Sequence, residues 1–312
     1  MATSNRERER ELRAQGDPST ADRPAKRGLK RISPQSRWYW ARLVLENPVA
    51  VASIGFILLI LLATATMALW SDQDPTRLNP ADRLQSPSGD FWLGTDQLGR
   101  DVLLRAVWGV RISLLIGFSI MFLSGAIGTL IGMGAAYYQK IDTPIMRVMD
   151  GIMAFPPIVL AIALMASFGQ GTQYVIIALT VVYIPVIARL ARGSTLSVKN
   201  QLYVEAARSI GVKDFPILMR HIFPNIFSPL IVQGTFIVAL AIIAEASLSF
   251  LGAGVPPDVP TWGSMLQEGQ SVIRQAWWLI LTPGAFLFVT VLSLNLIGDA
   301  LRDALDPRSR ER

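Results

Sequence analysis

The sequence predicts an all-α, polytopic membrane protein with six transmembrane helices, and three observations carry that prediction. About half of the residues are apolar and only 17% are charged. The charges fall outside a series of apolar stretches of about 20 residues, the length that crosses roughly 30 Å of hydrocarbon. The basic residues also favour one set of the segments between those stretches, which is how a membrane protein records its orientation.

Composition excludes several function classes. The net charge of +6 raises nucleic acid as a partner, yet the basic residues lie mainly in the N-terminal tail and selected loops, which fits topology better. The 312 residues include no cysteine and a single histidine, His221. Disulfides, thiolate catalysis and thiolate metal sites are therefore out, as is a histidine-cluster metal enzyme.

The elements follow in order. Residues 1–37, rich in Arg, Glu, Asp, Ser and Pro, read as a disordered cytoplasmic tail. A nucleic-acid role for it is disfavoured, because acids interrupt the bases and no aromatics interleave with them. Trp38, Tyr39, Trp40 and Arg42 form an aromatic and basic cluster suited to an interfacial helix over 38–48. The first span, 49–70, is too long and starts too late for a signal peptide. Residues 71–106 form a hydrophilic periplasmic or extracellular segment. There Gly94 and Gly99 bracket a turn, and Thr95 or Asp96 is placed to cap a helix beginning near Gln97. Asp96, Arg100, Asp101 and Arg105 have the spacing of a local ion-pair network. Structural capping is the preferred reading, a substrate or docking role the alternative. A paired-carboxylate catalytic site finds no supporting residues.

Residues 107–300 hold the transmembrane core, with a polar loop at 192–228 and an outer segment at 252–276. Residues 301–312 form a cytoplasmic C-terminal tail. The second span, 111–138, carries Gly117, Gly125, Gly128, Gly132 and Gly134, which let helices approach closely where van der Waals fit replaces the hydrophobic force. The third, 149–168, contains Pro156-Pro157, which bend it; a moving gate lining the pathway and a passive bend both remain open. Spans four to six are 174–191 with Pro185, 229–251 and 277–297. With both termini in the cytoplasm, only Arg77, Arg83, Arg100, Arg105 and Arg274 fall in the two outer segments. Glu245 is the one carboxylate inside a span, where its ionised form costs about 3 kcal/mol, so it faces protein or water. Lining the translocation path and bonding to a neighbouring helix are equally weighted roles. No second buried acid partners it as a proton relay would need.

The chain is organised around residues 201–225. Leu202, Ala206 and Ile210 recur at one-turn spacing on a short helix. Gly211 supplies the positive φ of a sharp corner. Asp214 is placed to cap the next turn, with Pro216 in its first residues, and a second helix reaches Pro224-Asn225, where the chain turns before re-entering the membrane.

The run Glu205-Ala206-Ala207-Arg208-Ser209-Ile210-Gly211 followed by Arg220-His221-Ile222-Phe223-Pro224-Asn225 resembles the "EAA" signature of bacterial ABC importer inner-membrane permease subunits. Three further stretches resemble the binding-protein-dependent dipeptide/oligopeptide/nickel permeases. They are Leu93–Asp101, Ala246–Gly252 and Gly298–Pro307. The resemblance spans about residues 40–307 and implies the type I importer permease fold.

It also implies that Glu205, Ala206, Ala207 and Gly211 belong to an element that docks on an ATP-hydrolysing subunit. Lys213, Asp214, Arg220 and His221 lie in the same element. Arg208, Lys213 and Arg220 give it a positive face for an acidic rim. Glu205 pairs with Arg208 or with a group on the ATPase. His221 reads as a packing and hydrogen-bonding residue rather than a catalyst. Asp96, Arg100 and Asp101 sit at the periplasmic side.

The implied machine holds this chain, a sister permease subunit of the DppB/OppB kind, two ATP-binding subunits and an extracytoplasmic substrate-binding protein. ATP and Mg bind the partner subunits and no cofactor binds this chain, which has no Walker lysine loop. Catalytic and metal residues are none. The implied activity is peptide import at the bacterial inner membrane. Nickel, glutathione or another small solute is the alternative. A proton-coupled secondary transporter lacks the matched broken helices. An intramembrane enzyme lacks a nucleophile–base pair.

Overall fold

The computed structural model describes residues 39–70 and 75–305. The tail expected over 1–37, the side chains of the Trp38–Arg42 cluster and residues 306–312 lie outside that description. Among the described residues the chain is helical apart from irregular connections and one isolated bridge between Thr95 and Asp101.

Helix α1 (Tyr39–Glu46) ends at Asn47, whose Oδ1 accepts the backbone N–H groups of Val49 at 3.0 Å and Ala50 at 3.3 Å. Pro48 then opens α2 (Pro48–Trp70), at a position where the missing N–H costs nothing. The next helix is α3 (Val102–Tyr137), capped by Asp101, which accepts the Leu104 N–H at 3.1 Å. The start expected near Gln97 under Thr95 or Asp96 is therefore corrected. Asp96 is spent locally, because its Oδ1 accepts the Leu98 and Arg100 N–H groups at 2.8 and 3.0 Å. The chain also keeps turning through Gly99 at φ +73. A Cβ there would stand 1.7 Å from the Asn79 carbonyl oxygen, so conformation and space both require glycine.

The span expected over 149–168 is two helices, α4 (Gln139–Met153) and α5 (Pro157–Phe168), bent by 91°. Pro156 and Pro157 offer no N–H to continue α4, and Pro156 is extended at φ −55, ψ 131. Helix α4 carries Lys140, Asp142, Arg147 and Asp150 and is tied to α6 (Thr172–Lys199). Arg192 grips Asp142 with two bonds of 2.6 Å, and Arg189 reaches Asp150 at 2.5 Å. Helix α6 runs through 192–199, which the sequence assigned to the loop.

After α7 (Leu202–Ser209), helix α8 runs unbroken from Asp214 to Phe250. The turn expected at Pro224-Asn225 does not occur. A π-helical stretch over Ile217–Ile222 widens the helix instead, and the Phe223 N–H bonds the Leu218 carbonyl five residues back. The wider turn relieves the clash of the Pro224 ring with the preceding carbonyls, and the Asn225 amide donates to the His221 carbonyl at 2.6 Å. Helix α9 (Trp262–Gln270) opens on a reciprocal cap between Thr261 and Ser264. Helix α10 (Trp278–Leu305) is the last.

Helices α2, α3, α6, α8 and α10 are long and apolar enough to cross a membrane, and the bent pair α4–α5 makes a sixth crossing if counted as one. Close fit holds α3 to α6. A Cβ on Gly128 would lie 2.7 Å from Ile187 Cβ, and one on Gly132 would lie 2.2 Å from the Ala188 oxygen. Gly117 meets Ile242 of α8 at 3.0 Å in the same way, whereas Gly125 and Gly134 meet nothing within 4 Å. Close packing thus accounts for the first three glycines and not for the last two.

Candidate functional site

The structure assembles residues 201–225 into a module at the Tyr137 end of α3. Helix α7 packs Val204 against Tyr137, Ile217, Ile222 and Ile226 and buries Ala207 as well. Its other side exposes Glu205, Ala206 and Leu202, the last at 83%, with Ile210 at 82% just beyond. The helix closes with paired reverse bonds: Val212 N–H to the Ala207 carbonyl at 3.1 Å and Gly211 N–H to the Arg208 carbonyl at 3.0 Å. Gly211 lies at φ +81 with no atom within 4 Å of a built Cβ. Backbone handedness, not crowding, sets glycine there.

Asp214 does not cap the turn it begins. Its carboxylate accepts the Tyr137 hydroxyl at 2.7 Å and the Tyr138 hydroxyl at 3.3 Å. The expected Glu205–Arg208 pair is also absent among the described residues. The Arg208 guanidinium lies 5.5 Å over the Tyr137 ring instead. Lys213 and Arg220 are exposed, and Phe215 stands out at 71%. His221 is half-buried with its ring 6.3 Å from that of Tyr203. The module is therefore rooted on one side and apolar with a basic fringe on the other.

At the far end of α3 the structure builds a second constellation. Arg100 Nε reaches Asp96 Oδ2 at 2.6 Å and Arg105 Nη1 reaches the same oxygen at 2.5 Å. Both arginines also hold Glu268 of α9, at 2.7 and 2.6 Å. Gln97 donates to the Glu268 carbonyl at 2.7 Å, and the Trp278 indole donates to the Thr95 carbonyl at 3.1 Å. The Trp262 indole reaches the Ala106 carbonyl at 3.0 Å. This cluster clips α3, α9 and the start of α10 together. Asp101 stands outside it as the helix cap. Glu268 escaped the sequence reading, although one signal existed: with Asp101 spent on a cap, two arginines face one carboxylate, and a second acid is required.

Glu245 is fully buried. It accepts the Ser249 hydroxyl at 2.9 Å and the Ser113 hydroxyl of α3 at 3.3 Å, and Ser249 in turn accepts the Val255 N–H at 3.1 Å. That geometry joins α8 to α3 and leaves no face of the carboxylate open. Pro156 and Pro157 are exposed at the α4–α5 elbow. No cluster of three or more metal-ligating His, Cys, Asp or Glu side chains occurs among the described residues.

Residues 128–311 match the family described as "Binding-protein-dependent transport system inner membrane component". The chain belongs to that family. It is 43% identical over 285 residues to the glutathione transport system permease protein GsiD of Pectobacterium atrosepticum, covering 89% of this chain and 93% of that one. It is 39% identical over 266 residues to the dipeptide transport system permease protein DppC of Alkalihalophilus pseudofirmus, covering 85% and 88%. In fold it is similar to a chain of the MetNI methionine ABC transporter in inward-facing form. The TM-score is 0.55 at 20% identity, over 65% of this chain and 97% of that one.

The protein is thus a multi-pass inner-membrane permease component, and its family is non-catalytic. The family match takes in the whole 201–225 module and Glu245 but begins at Gly128. Asp96, Arg100 and Arg105 of the ion-pair clip lie before it, whereas Glu268 lies within it.

Proposed function

We propose that this permease forms half of a translocation pathway for short peptides in an ATP-driven importer, and that residues 201–225 carry the stroke of the ATPase into the spans. The observation that supports this most directly is the two-sided module. Leu202, Ile210 and Phe215 present an unpartnered apolar face, while Asp214 starts a helix that continues without interruption into the α8 span. Phe215 lies on that helix, so movement of this part of the face is movement of a span. Glu205, Ala206, Ala207 and Gly211 form the docking helix and its corner, and Lys213, Arg220 and His221 flank it.

The partners in this reading are a sister permease of the DppB/OppB kind, two ATP-binding subunits and a binding protein on the other side of the membrane. The module and both termini face the cytoplasm, and the Asp96–Arg100–Arg105–Glu268 clip stiffens the outer face, with Asp101 beside it as the cap of α3. ATP closure and the loaded binding protein bias a two-state bundle. The elbow at Pro156-Pro157 is the element best placed to line the path and move. Burial of Glu245 favours helix bonding over path lining.

Peptide cargo rests on the relatives' names, which speak of glutathione and dipeptide transport; nickel or another small solute is the alternative. Reconstitution of the complex in proteoliposomes with a panel of di- and tripeptides, glutathione and nickel tests it. Uptake of peptides that requires both ATP and the binding protein is expected. Uptake without the ATPase subunits rejects the reading.

A further inference from the structure

An open pocket of about 600 Å³ lies at the Tyr137 end of α3, between the spans and the 201–225 module. Lys140, Lys199 and Arg208 line it together with Tyr137, Tyr138 and Asp214. Three cations face one carboxylate. The tyrosine hydroxyls it accepts are neutral, and Asp142, which also feels the charge of Lys199, is held by Arg192, so the lining keeps an excess of positive charge. Lys199 is fixed in place by the carbonyls of Ala136 at 2.9 Å and Tyr137 at 3.3 Å. Arg208 is fixed over the Tyr137 ring. Lys140 is exposed, with no hydrogen bond or ion pair among the described residues.

The depth of the pocket follows from α3. Arg111, stacked 5.0 Å over Trp108, is the last charge at one end, and residues 112–137 carry none. At 1.5 Å per residue, the stretch from Arg111 to Gly132 is about 32 Å long, close to the hydrocarbon thickness. Gly132 lies against Ala188, Ala191 and Arg192, where the ion pairs of α4 and α6 begin. Tyr137 is about 8 Å further along the helix axis, in the headgroup layer. Paired tyrosines and lysines are the residues that settle at that level.

We propose that this pocket binds the phosphate of an anionic phospholipid headgroup, which thereby bridges the span ends (Tyr137, Lys199) and the coupling module (Arg208). The lipid neutralises the excess charge and holds the module against the bundle. This goes beyond the transport reading and does not depend on which solute is carried.

The test uses the full chain purified with its partner subunits in detergent, mixed with equal amounts of phosphatidylglycerol and phosphatidylcholine. Native mass spectrometry reads the lipids retained. Preferential retention of phosphatidylglycerol is expected, falling about five-fold for each cation removed in Lys140→Gln and Lys140→Gln/Arg208→Gln, with phosphatidylcholine unchanged. Thermal midpoints are measured alongside. If the Arg208 variant unfolds, the exposed Lys140→Glu variant carries the test with a loss at least as large. Unchanged phosphatidylglycerol in the variants overturns the proposal. So does its displacement by millimolar inorganic phosphate, which marks a free-anion site. Retention by the lone permease that disappears in the complex also overturns it and assigns the pocket to a protein partner.

Discussion

The Tyr137 hydroxyl donates a 2.7 Å hydrogen bond to Asp214, so the last helical residue of α3 holds the first residue of α8. The bond sits where the 201–225 module leaves the bundle, and the Tyr138 hydroxyl at 3.3 Å backs it up. Tyr137→Phe removes the stronger bond and about 1 kcal/mol with it. Insertion and assembly are expected to survive, while solute moved per ATP hydrolysed in proteoliposomes drops. An unchanged ratio would show that the Tyr137–Asp214 bond transmits nothing.

Gly211→Val should insert normally and lose coupling. The residue sits at φ +81 with open space around it, so the variant suffers backbone strain rather than a clash, about 1–2 kcal/mol or more for a branched side chain. Gly211→Asn tolerates that conformation and should retain most coupling. ATPase rate and uptake measured in parallel separate the two, and equal defects in both variants would reject the backbone account.

Glu268→Gln leaves Arg100 and Arg105 with one carboxylate, the buried Asp96, in place of two. Breaking a buried charge cluster from one side costs about 3–5 kcal/mol. Glu268 itself is partly exposed, which puts the expectation at the lower end. Asp101→Ala removes only a cap, at about 1 kcal/mol. Thermal unfolding of the purified permease should rank Glu268→Gln well below Asp101→Ala, and the reverse order would contradict the cluster's structural role.

Gly132→Leu should fail to assemble. Even a Cβ at that position would sit 2.2 Å from the Ala188 oxygen, so α3 and α6 are forced apart. Gly125→Leu, where nothing lies within 4 Å within the chain, is expected to fold. Monodispersity on size exclusion reads the contrast.

Glu245→Gln keeps one acceptor oxygen for a serine hydroxyl and turns an amide N–H towards the other, which can accept it, and should preserve both folding and transport, whereas Glu245→Ala should lower the yield of folded protein. A well-folded Glu245→Ala variant with transport abolished would return the residue to the pathway.

Five of the spans were legible in the chain because hydrocarbon thickness demands runs of about 20 apolar residues and no tertiary contact is needed to see them, whereas the one expected over 149–168 is a bent pair. The corner at Gly211 was equally legible, since left-handed backbone is a local property. Asp214 was misread as a cap because its true partners, Tyr137 and Tyr138, are far away in sequence. Glu268 was missed for the same reason, being brought to Arg100 and Arg105 only when α9 folds back on α3.

The sequence by itself determined five helices long and apolar enough to cross a membrane and the reversal at Gly211, because both follow from local chemistry. Tertiary structure alone decided that α4 and α5 meet at 91°, and that α8 runs through Pro224 on a widened turn instead of stopping. It also decided that Glu245 is sealed between helices. A proline removes one hydrogen bond wherever it stands, but whether the helix breaks or adapts depends on the neighbours that take up the freed carbonyls. Those neighbours come from elsewhere in the chain.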